Sequence, residues 1–550
     1  MEIHDTRVLI LGGSGLVGMA IARAMLRCEP ARLAITALTQ GETVAGLAEL
    51  KAAAAGKKTE VASYWGDLFV ADELKDEARR ELIESREKRL LLLEDLYGPF
   101  TRERLERSAL YRLLVAEKPH IVVDCVNTAT AIAYQDVFSS VDEVRAALRE
   151  GGDIADVVER HLAIIYMPQL IRHVQILLEA LREARTDCYL KVGTAGTGGM
   201  GLNIPFTHSE QRPSNTLLAK SSVAGAHSLL LFLMARTPGA PAVKEVKPTA
   251  AIAWKRIGVG PLGWRGKMME RYDATAPVPF EEALDDGKSA WRRLGGQLES
   301  VYVDMGENGL FSLGEFEAIS ALGMMELVTP EEIATTVLRE ILGQPTGLDI
   351  VSALDGAAMG PTYRGGVLRE LAIRRMEELE EETGHRSIAF EMLGPPRLSK
   401  LLFEAYILEQ LYGTMAAAAE LDPQKTAKEA EAWLASNDES RINILSIGLP
   451  ILSADGTQVF RGPELKVKPG PGKSVDDRLI SRGWIDLRPS NWALWRDRFR
   501  RIREELNSAP GPDEGSFADA DLASRSDRIR PGSAVAWIFK REDAGERMKR

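Results

Sequence analysis

Residues 8–26 of the chain read VLILGGSGLVGMAIARAML, and this stretch decides the fold. The apolar run at 8–11 predicts a buried strand, and the residues from Met19 onward predict a helix that packs on it. The glycines between them, Gly12, Gly15 and Gly18, allow a tight turn and a close approach of helix and strand. We therefore predict a strand, a glycine turn and a helix.

The same spacing indicates what the turn is able to bind. The first turn of a helix carries N–H groups without partners, and glycines let the backbone approach a pyrophosphate. We therefore expect a dinucleotide, held by residues of the turn: Gly12, Ser14, Gly15, Leu16, Val17 and Gly18. A glycine-rich turn also occurs as a compact connection that binds nothing, and this alternative stays open.

Composition places the chain among large globular proteins. Its 550 residues, 45% of them hydrophobic, are enough for two or three domains. The net charge of -11 repels nucleic acid and anionic membrane surfaces, so we expect neither as a partner. Three scattered cysteines and the lack of metal-ligand spacing predict no disulfide and no metal site. Without a leader-like start or ~18 to 20 uninterrupted apolar residues, the expected location is cytoplasmic.

Strands and helices continue to alternate beyond the first motif. Further strands are predicted at 32–39, 60–65, 120–126, 188–192 and 243–249. A long helix is predicted at 157–184, and a charge-dense stretch at about 71–116 predicts an inserted helical hairpin. The predicted fold class is therefore α/β, a doubly wound parallel Rossmann sheet with inserted helices.

Three segments are predicted along the chain. Residues 1–250 form a Rossmann dinucleotide-binding domain that includes the helical insertion. Residues 251–370 form a smaller α+β substrate-binding domain, and residues 371–550 form a mostly helical C-terminal extension. Three tryptophans of the extension are interpreted as core or interface anchors because residues suited to packing surround them: Trp484, Trp492 and Trp495.

These motifs resemble the extended short-chain dehydrogenase/reductases, which include NAD-dependent epimerases and dehydratases. The resemblance covers roughly residues 5–370. The glycine turn resembles the family's GxxGxxG fingerprint, and the pair Asp67 and Leu68 resembles the motif after the third strand. The small-residue segment that lines the cofactor is matched by Asn127, Thr128 and Ala129. The resemblance implies NAD or NADP as cofactor, a small-molecule substrate and a homodimer.

The resemblance also nominates residues for the chemistry. Thr194 follows the fifth strand where the family has a catalytic Ser or Thr, and Lys220 matches the lysine of the YxxxK helix. The family's tyrosine is replaced by Thr216, whose hydroxyl is too weak an acid for the same proton transfer. His208 is the candidate replacement, because imidazole titrates near neutral pH. The open alternatives are a His208 that pairs only within its loop and a Lys220 that is a solvated helix lysine.

The end of the second strand leaves the choice between NAD and NADP open. An NAD-preferring member has an acidic residue there for the ribose diol, whereas this chain has Thr39 and Gln40. Gln40 is a candidate ribose contact, and no arginine follows at once to hold a 2′-phosphate.

Two functions from different classes follow from this pattern. The first is an NAD(P)-dependent oxidoreductase or epimerase/dehydratase-like enzyme that acts on a hydroxyl or carbonyl substrate with a non-standard acid/base site. The alternative is a non-catalytic NAD(P)-binding scaffold or assembly protein that retains the fold without the tyrosine. A lyase or isomerase with a captive NAD stands between these two.

Overall fold

A computed structural model describes most of the chain. The described residues are 1–133, 135–193, 215–248, 250–264, 267–285, 290–306, 309–321, 327–344, 356–359, 363–392, 395–470, 474–508 and 527–543. The chain divides into two compact units, of which the first holds residues 1–202, 213–253 and 327–365. The second holds residues 203–212, 254–326 and 366–550. Thr194 and His208 lie outside the described residues.

The first unit is built around a seven-stranded sheet in which every pairing is parallel. Six strands are β1 (Arg7–Leu11), β2 (Arg32–Ala37), β3 (Glu60–Trp65), β4 (Ile121–Asp124), β5 (Cys188–Val192) and β6 (Ala242–Pro248). The seventh, Gly356–Met359, lies beside β6, and the order across the sheet is then β5, β4, β1, β2, β3. The order reverses at β1 and β4, where doubly wound sheets bind their ligands. The predicted α/β Rossmann fold is confirmed.

The strands carry apolar residues on both sides, and both faces of this sheet are therefore buried. On one face, Val8 and Ile10 pack with the helices α1 (Leu16–Leu26) and Pro330–Leu342. On the other face, Leu9 and Leu11 pack with residues of two long helices, α10 (Tyr166–Ala184) and α11 (Asn215–Ala235). Strands buried on both faces explain why the strand sequences are continuous apolar runs.

The helices between β2 and β5 differ from the predicted ones in number. Between α2 (Gln40–Ala53) and α10, the helices are α3 (Arg79–Glu84), α4 (Arg86–Tyr97), α5 (Arg102–Arg107), α6 (Ala109–Glu117), α7 (Thr128–Ala133), α8 (Val137–Glu150) and α9 (Ile154–Ile164), with a 3₁₀ turn at Asp72–Leu74. The insertion at 71–116 is therefore a set of short helices rather than a hairpin. The helix predicted at 157–184 is broken at Ile165, whose extended backbone separates α9 from α10.

The two compact units divide the chain differently from the three predicted segments. Residues 327–365 return to the first unit and supply its seventh strand and the helix Pro330–Leu342. Residues 254–326 join residues 366–550 in one unit instead of standing apart from them. A short parallel pair, Ala251–Ile252 with Leu327–Val328, connects the points where the chain leaves and re-enters the first unit.

The second unit combines many helices with small sheets that are antiparallel except for the parallel pair of Ile451–Leu452 with Ile485–Asp486. Its strands are Arg256–Pro261, Gly263–Trp264, Lys267–Met268, Glu270–Ala274, Val278–Pro279, Trp291–Gln297, Glu299–Asp304, Leu310–Phe311, Ile451–Leu452, Gln458–Phe460 and Ile485–Asp486. Its helices are Leu313–Ser320, most of Tyr363–Thr383, Pro396–Tyr412, Met415–Ala419, Pro423–Ser436, Asp438–Ser446, Asp477–Ile480, Pro489–Ser508 and Pro531–Trp537, with a 3₁₀ turn at Phe280–Glu282 and a π turn at Ile538–Glu542.

Three tryptophans anchor the core of this unit, as the sequence predicts. Trp484, Trp492 and Trp495 are fully buried. The Trp495 Nε1–H donates to Oε2 of Glu404 over 2.9 Å, and the Trp492 Nε1–H donates to the Leu487 carbonyl over 2.8 Å. A buried indole that satisfies its N–H in this way acts as a fixed packing element.

Candidate functional site

The glycine turn between β1 and α1 is packed so tightly that side chains have no room. Gly12 has φ +68°, in the left-handed region that favours glycine. A Cβ on Gly18 would lie 2.5 Å from the Gly12 carbonyl oxygen, and one on Gly13 would lie 2.7 Å from Cβ of Ile35. The glycines thus bring the start of α1 directly onto the ends of β1 and β2.

Gly15 differs because its open side faces away from the packed turn. It is exposed, and a Cβ there would meet only the Gly12 carbonyl oxygen, at 3.4 Å. Gly15 is the N-cap of α1, and in the part of the chain that the structure describes no side chain caps this end. The first helical bond runs from the Met19 N–H to the Gly15 carbonyl over 2.8 Å. The N–H groups before Met19 are those that a helix start presents to an anion.

Ser14 contributes an orphaned polar atom beside this turn. Its Oγ is buried and has no hydrogen-bond partner among the described residues. The backbone around it is fixed, since the Gly12 N–H donates to Oγ1 of Thr36 over 2.9 Å. This hydroxyl faces α2, since a Cβ on Gly46 would lie 2.5 Å from its oxygen. The open helix start is therefore the feature of this turn that fits a dinucleotide.

A cavity of about 330 Å³ opens beside the turn, at the carboxyl ends of β1 to β4. One wall is Gly12 with the end of β2 at 36–38, and another is Val126 with Ala131 and Ile132 of α7. Asp67 and Leu68, which follow β3, also line it. The volume and the mainly apolar walls with a few polar groups are those of a small-molecule site.

A half-buried arginine from the inserted helices reaches this cavity. Arg79 begins α3 and lines the cavity with Gln135 and Gln169. Its Nη2 donates to Oε1 of Gln169 over 2.6 Å, whereas its Nε is buried without a partner among the described residues. Burial lowers the pKa of Arg79, and the negative charge of Asp67 opposes this shift. Arg79 therefore brings a cation with an unused donor to the site.

The residues predicted after β2 and β3 take different positions relative to the cavity. Gln40 is exposed and begins α2, and Leu38 rather than Gln40 is among the residues that line the cavity. Glu42 is engaged in a capping box with Thr39 at the start of this helix. Asp67 is held in place because its Oδ1 accepts the Phe69 N–H over 2.8 Å.

The predicted segment after β4 forms the turn into α7. Thr128 and Ala129 are the first residues of α7, and the Asn127 carbonyl accepts the Ala131 N–H over 2.9 Å. Thr128 is buried, whereas Val126, just before the predicted segment, is the member of this turn that lines the cavity.

Lys220 lies on the face of α11 that packs on the rest of the first unit. Its residue is 2% exposed, so the alternative of a solvated helix lysine is wrong. Thr216 stands one turn earlier in the same helix. Thr194 and His208, the two other candidate catalytic residues, lie outside the described residues.

Three polar side chains that line the cavity are not predicted from the sequence: Arg79, Gln135 and Gln169. Arg79 comes from the insertion, Gln135 from the connection between α7 and α8, and Gln169 from α10. Nothing in their spacing marks them, because only the packing of the insertion against α10 brings them to the cavity. Among the described residues, no group of three His, Cys, Asp or Glu side chains is arranged to hold a metal ion.

Comparison with a family model concerns the other half of the chain. Residues 270–543 match the family described as the beta-methylindole-3-pyruvate reductase C-terminal domain. The match spans just under half of the chain and begins after β6. None of the curated protein sequences is similar to the chain at a significant level.

Solved structures give distant likenesses only. Pen from Bacillus thuringiensis is 12% identical, with 45% of this chain and 50% of that chain covered and a TM-score of 0.23. The chain thus spans half the length of that protein. A short-chain dehydrogenase/reductase from Serratia marcescens is 15% identical, with 66% and 97% covered and a TM-score of 0.30. The NADH-dependent reductase A1-R′, complexed with NAD, is 11% identical, with 45% and 80% covered and a TM-score of 0.26.

Because these TM-scores are low, the fold is assigned from the sheet alone. The sheet is a doubly wound Rossmann sheet with a glycine turn at its switch point. The similarity that bears on the second unit is the match to the C-terminal domain of a reductase.

Proposed function

We propose that the protein is an NAD(P)-dependent reductase of the extended short-chain type whose substrate is a 2-oxo acid with an aromatic side chain. The observation that carries the proposal is the cavity of about 330 Å³ at the switch point, beside the open start of α1. A nicotinamide dinucleotide bound there would supply the hydride for reduction of a carbonyl group.

The family match supports the substrate class. The matched family is named for a reductase of beta-methylindole-3-pyruvate, an indole-bearing 2-oxo acid. In the proposed reaction, the carbonyl carbon accepts a hydride and its oxygen accepts a proton, which gives a 2-hydroxy acid and the oxidised dinucleotide. The cavity proposed for the dinucleotide is lined by residues of the first unit, and the residues of the family match belong largely to the second.

Different residues are proposed to bind different parts of the dinucleotide and of the substrate. The N–H groups at the start of α1 would hold the pyrophosphate, and Asp67 with Arg79 would bind the adenosine end. Lys220 is proposed to hold the ribose, and Thr194 the substrate oxygen. Thr216 cannot serve as the tyrosine does, so His208 or a bound water is proposed to move the proton.

Binding of the dinucleotide and its oxidation by the substrate test the proposed reaction. We expect the purified protein to bind NADH or NADPH with micromolar affinity and to oxidise the bound form when indole-3-pyruvate is added. Titration of nicotinamide fluorescence measures binding, and loss of nicotinamide absorbance measures turnover. We expect Lys220→Met and His208→Ala to lose most turnover. Failure to bind either dinucleotide would refute the proposal.

A second function is favoured by one residue. Thr216 replaces the family's tyrosine, which is what a protein that keeps the fold as an NAD(P)-binding scaffold would tolerate. This alternative predicts tight binding of a dinucleotide that no carbonyl substrate oxidises. The same assay therefore separates the two functions.

We also propose that the protein is a homodimer through one face of α10 and α11. Met167 and Ile171 of α10 are about 40% exposed, and Leu218, Leu229 and Leu233 of α11 about 50%. Several large apolar residues exposed on neighbouring helices are a candidate interaction surface. Among the described residues, α11 is also the one helix long and apolar enough to cross a membrane, with 44% of its most apolar window buried. The opposite face of α11 packs on the sheet and carries Lys220, so α11 belongs to the folded unit. This favours a second copy of the chain, rather than a membrane, as the partner of the exposed face.

Light scattering tests this surface. We expect the wild-type protein to have the mass of a dimer and Leu229→Asp/Leu233→Asp to have that of a monomer, because a charge in a dry interface is costly. Val44→Asp, at an even more exposed apolar residue of α2, is the control and should leave the mass unchanged. A monomeric wild-type protein, or one recovered only with lipid, would contradict the dimer.

A further inference from the structure

Three buried charged residues lie side by side on neighbouring strands. Asp124 is the register partner of Lys191, and Lys191 is the register partner of Glu245. All three are less than 5% exposed. Asp124 and Lys191 lie on the strand face of Val122 and Tyr189, which packs against α10 and α11. Charges so deep in a core are rare unless they are paired or have a task.

The Nζ of Lys191 contacts one short segment of the chain, residues 124–128. Its Nζ lies 3.0 Å from Oδ1 of Asp124 and donates to the Val126 carbonyl over 2.6 Å and to Oγ1 of Thr128 over 3.1 Å. An ammonium has three donors, and the three contacts use them all. Each contact falls on the end of β4 or on the turn into α7.

Asp124 fixes the same turn from the other side. Its Oδ1 accepts the Val126 N–H over 2.9 Å, and its Oδ2 accepts the Tyr189 hydroxyl over 2.7 Å. Burial alone would raise the pKa of Asp124, but Lys191 and Tyr189 outweigh it and hold the pKa below its usual value. The carboxylate is therefore charged and matches the ammonium of Lys191.

The histidines that face this pair do not add charge to it. His173 of α10 and His227 of α11 are buried, and Nε2 of each has no hydrogen-bond partner among the described residues. Burial lowers the pKa of His173 to about 4 and holds the pKa of His227 well below its usual value. Both rings are neutral near pH 7, so Lys191 is the cation in contact with Asp124.

The turn that Lys191 holds is part of the dinucleotide site. A Cβ on Gly12 would lie 3.2 Å from the backbone of Cys125 and Val126, so the glycine turn rests directly on it. Val126 and Gly12 then line the same cavity. A shift of this turn would move a wall of the cavity and the support of the glycine turn together.

We propose that Lys191 is a positioning residue for the dinucleotide: from behind the sheet, its ammonium holds the turn at 126–128 in the shape that the cofactor requires. This role rests on the proposed function. The competing explanation is an ion pair that stabilises the fold and has no influence on binding.

Paired substitutions separate the two explanations. Lys191→Met leaves the Asp124 carboxylate buried without its cation, so its melting temperature should fall. Asp124→Asn/Lys191→Met removes both charges and should recover most of that loss, yet its Kd for the dinucleotide should stay at least about tenfold above wild type. Thr128→Val, which keeps the ion pair, should raise the Kd by a smaller factor with little change in melting temperature.

Lys244 provides the matched control. It lies on β6 and its Nζ donates to Oε2 and to the carbonyl of Glu340, each over 2.8 Å, away from the turn. Lys244→Met should leave the Kd unchanged. A double variant that binds the dinucleotide as wild type does would overturn the role of Lys191 and leave the proposed function standing. A wild-type protein that binds neither NADH nor NADPH would overturn the proposed function and this role with it.

Discussion

Replacing Gly15 by alanine is expected to weaken dinucleotide binding about 10- to 100-fold, equivalent to about 1.4 to 2.8 kcal/mol, while the protein stays folded. Gly15 is exposed, its φ of -75° suits alanine, and an added Cβ meets only the Gly12 carbonyl oxygen at 3.4 Å. The methyl group would instead stand in the space that a pyrophosphate must enter to reach the start of α1. The loss of a glycine N-cap should cost less than about 1 kcal/mol of stability.

Gly41→Ala is the control for this experiment. Gly41 lies in the first turn of α2, is exposed, and has nothing within 4 Å of an added Cβ. Titration of NADH and NADPH should give a wild-type Kd for Gly41→Ala and a raised Kd for Gly15→Ala, with thermal melting unchanged in both. Wild-type binding by Gly15→Ala would place the dinucleotide elsewhere. Gly18 is unsuitable for the test, because a Cβ 2.5 Å from the Gly12 carbonyl oxygen would disturb the fold itself.

The second unit is expected to lose about 2 to 3 kcal/mol of unfolding free energy between about pH 6.5 and pH 8.5. Burial raises the pKa of Glu315 to about 7 and that of Glu391 to about 8. Both carboxyls are thus neutral in the folded protein at low pH and charged in the unfolded chain above about pH 4.5. Stability is fully present below the unfolded pKa and is lost as the pH rises through the folded pKa.

Glu391→Gln should remove most of this dependence, because an amide of the same size does not titrate. Oε2 of Glu391 has no hydrogen-bond partner among the described residues, so the amide loses little. Denaturant unfolding is followed by tryptophan fluorescence, since every tryptophan except Trp65 lies in the second unit. Glu464→Gln, at a side chain that is 75% exposed, should keep the wild-type slope. An equal slope in Glu391→Gln would contradict the prediction.

The strands of the first unit were predictable because each is a short apolar run that ends in a glycine or polar turn. β3 and β5 begin and end where the sequence predicts, and the helix at 330–342 is marked by Thr329 and Glu332, which form a capping box. The seventh strand was missed because Gly356–Met359 is short and lies among glycines and prolines. Its pairing with β6 is a long-range contact that local patterns do not encode.

The candidate site was predictable only where a motif marks it. The glycine turn and the pair Asp67 and Leu68 carry such a signal, whereas Arg79 reaches the cavity through the packing of an insertion. The sequence also distinguishes Lys191, because it is the one charged residue within the apolar run of β5. A charge in a strand buried on both faces demands a partner, and the matching charge stands at the end of β4.

The return of residues 327–365 to the first sheet has a consequence for biosynthesis. A ribosome that has released β6 has not yet made the strand that covers its edge, nor the helix whose Ile333, Val337 and Ile341 share a core with α1. A nascent chain that ends near residue 250 therefore exposes an open sheet edge and an uncovered apolar face. The chain between the two parts must be synthesised first, so the amino-terminal sheet is completed only late in translation.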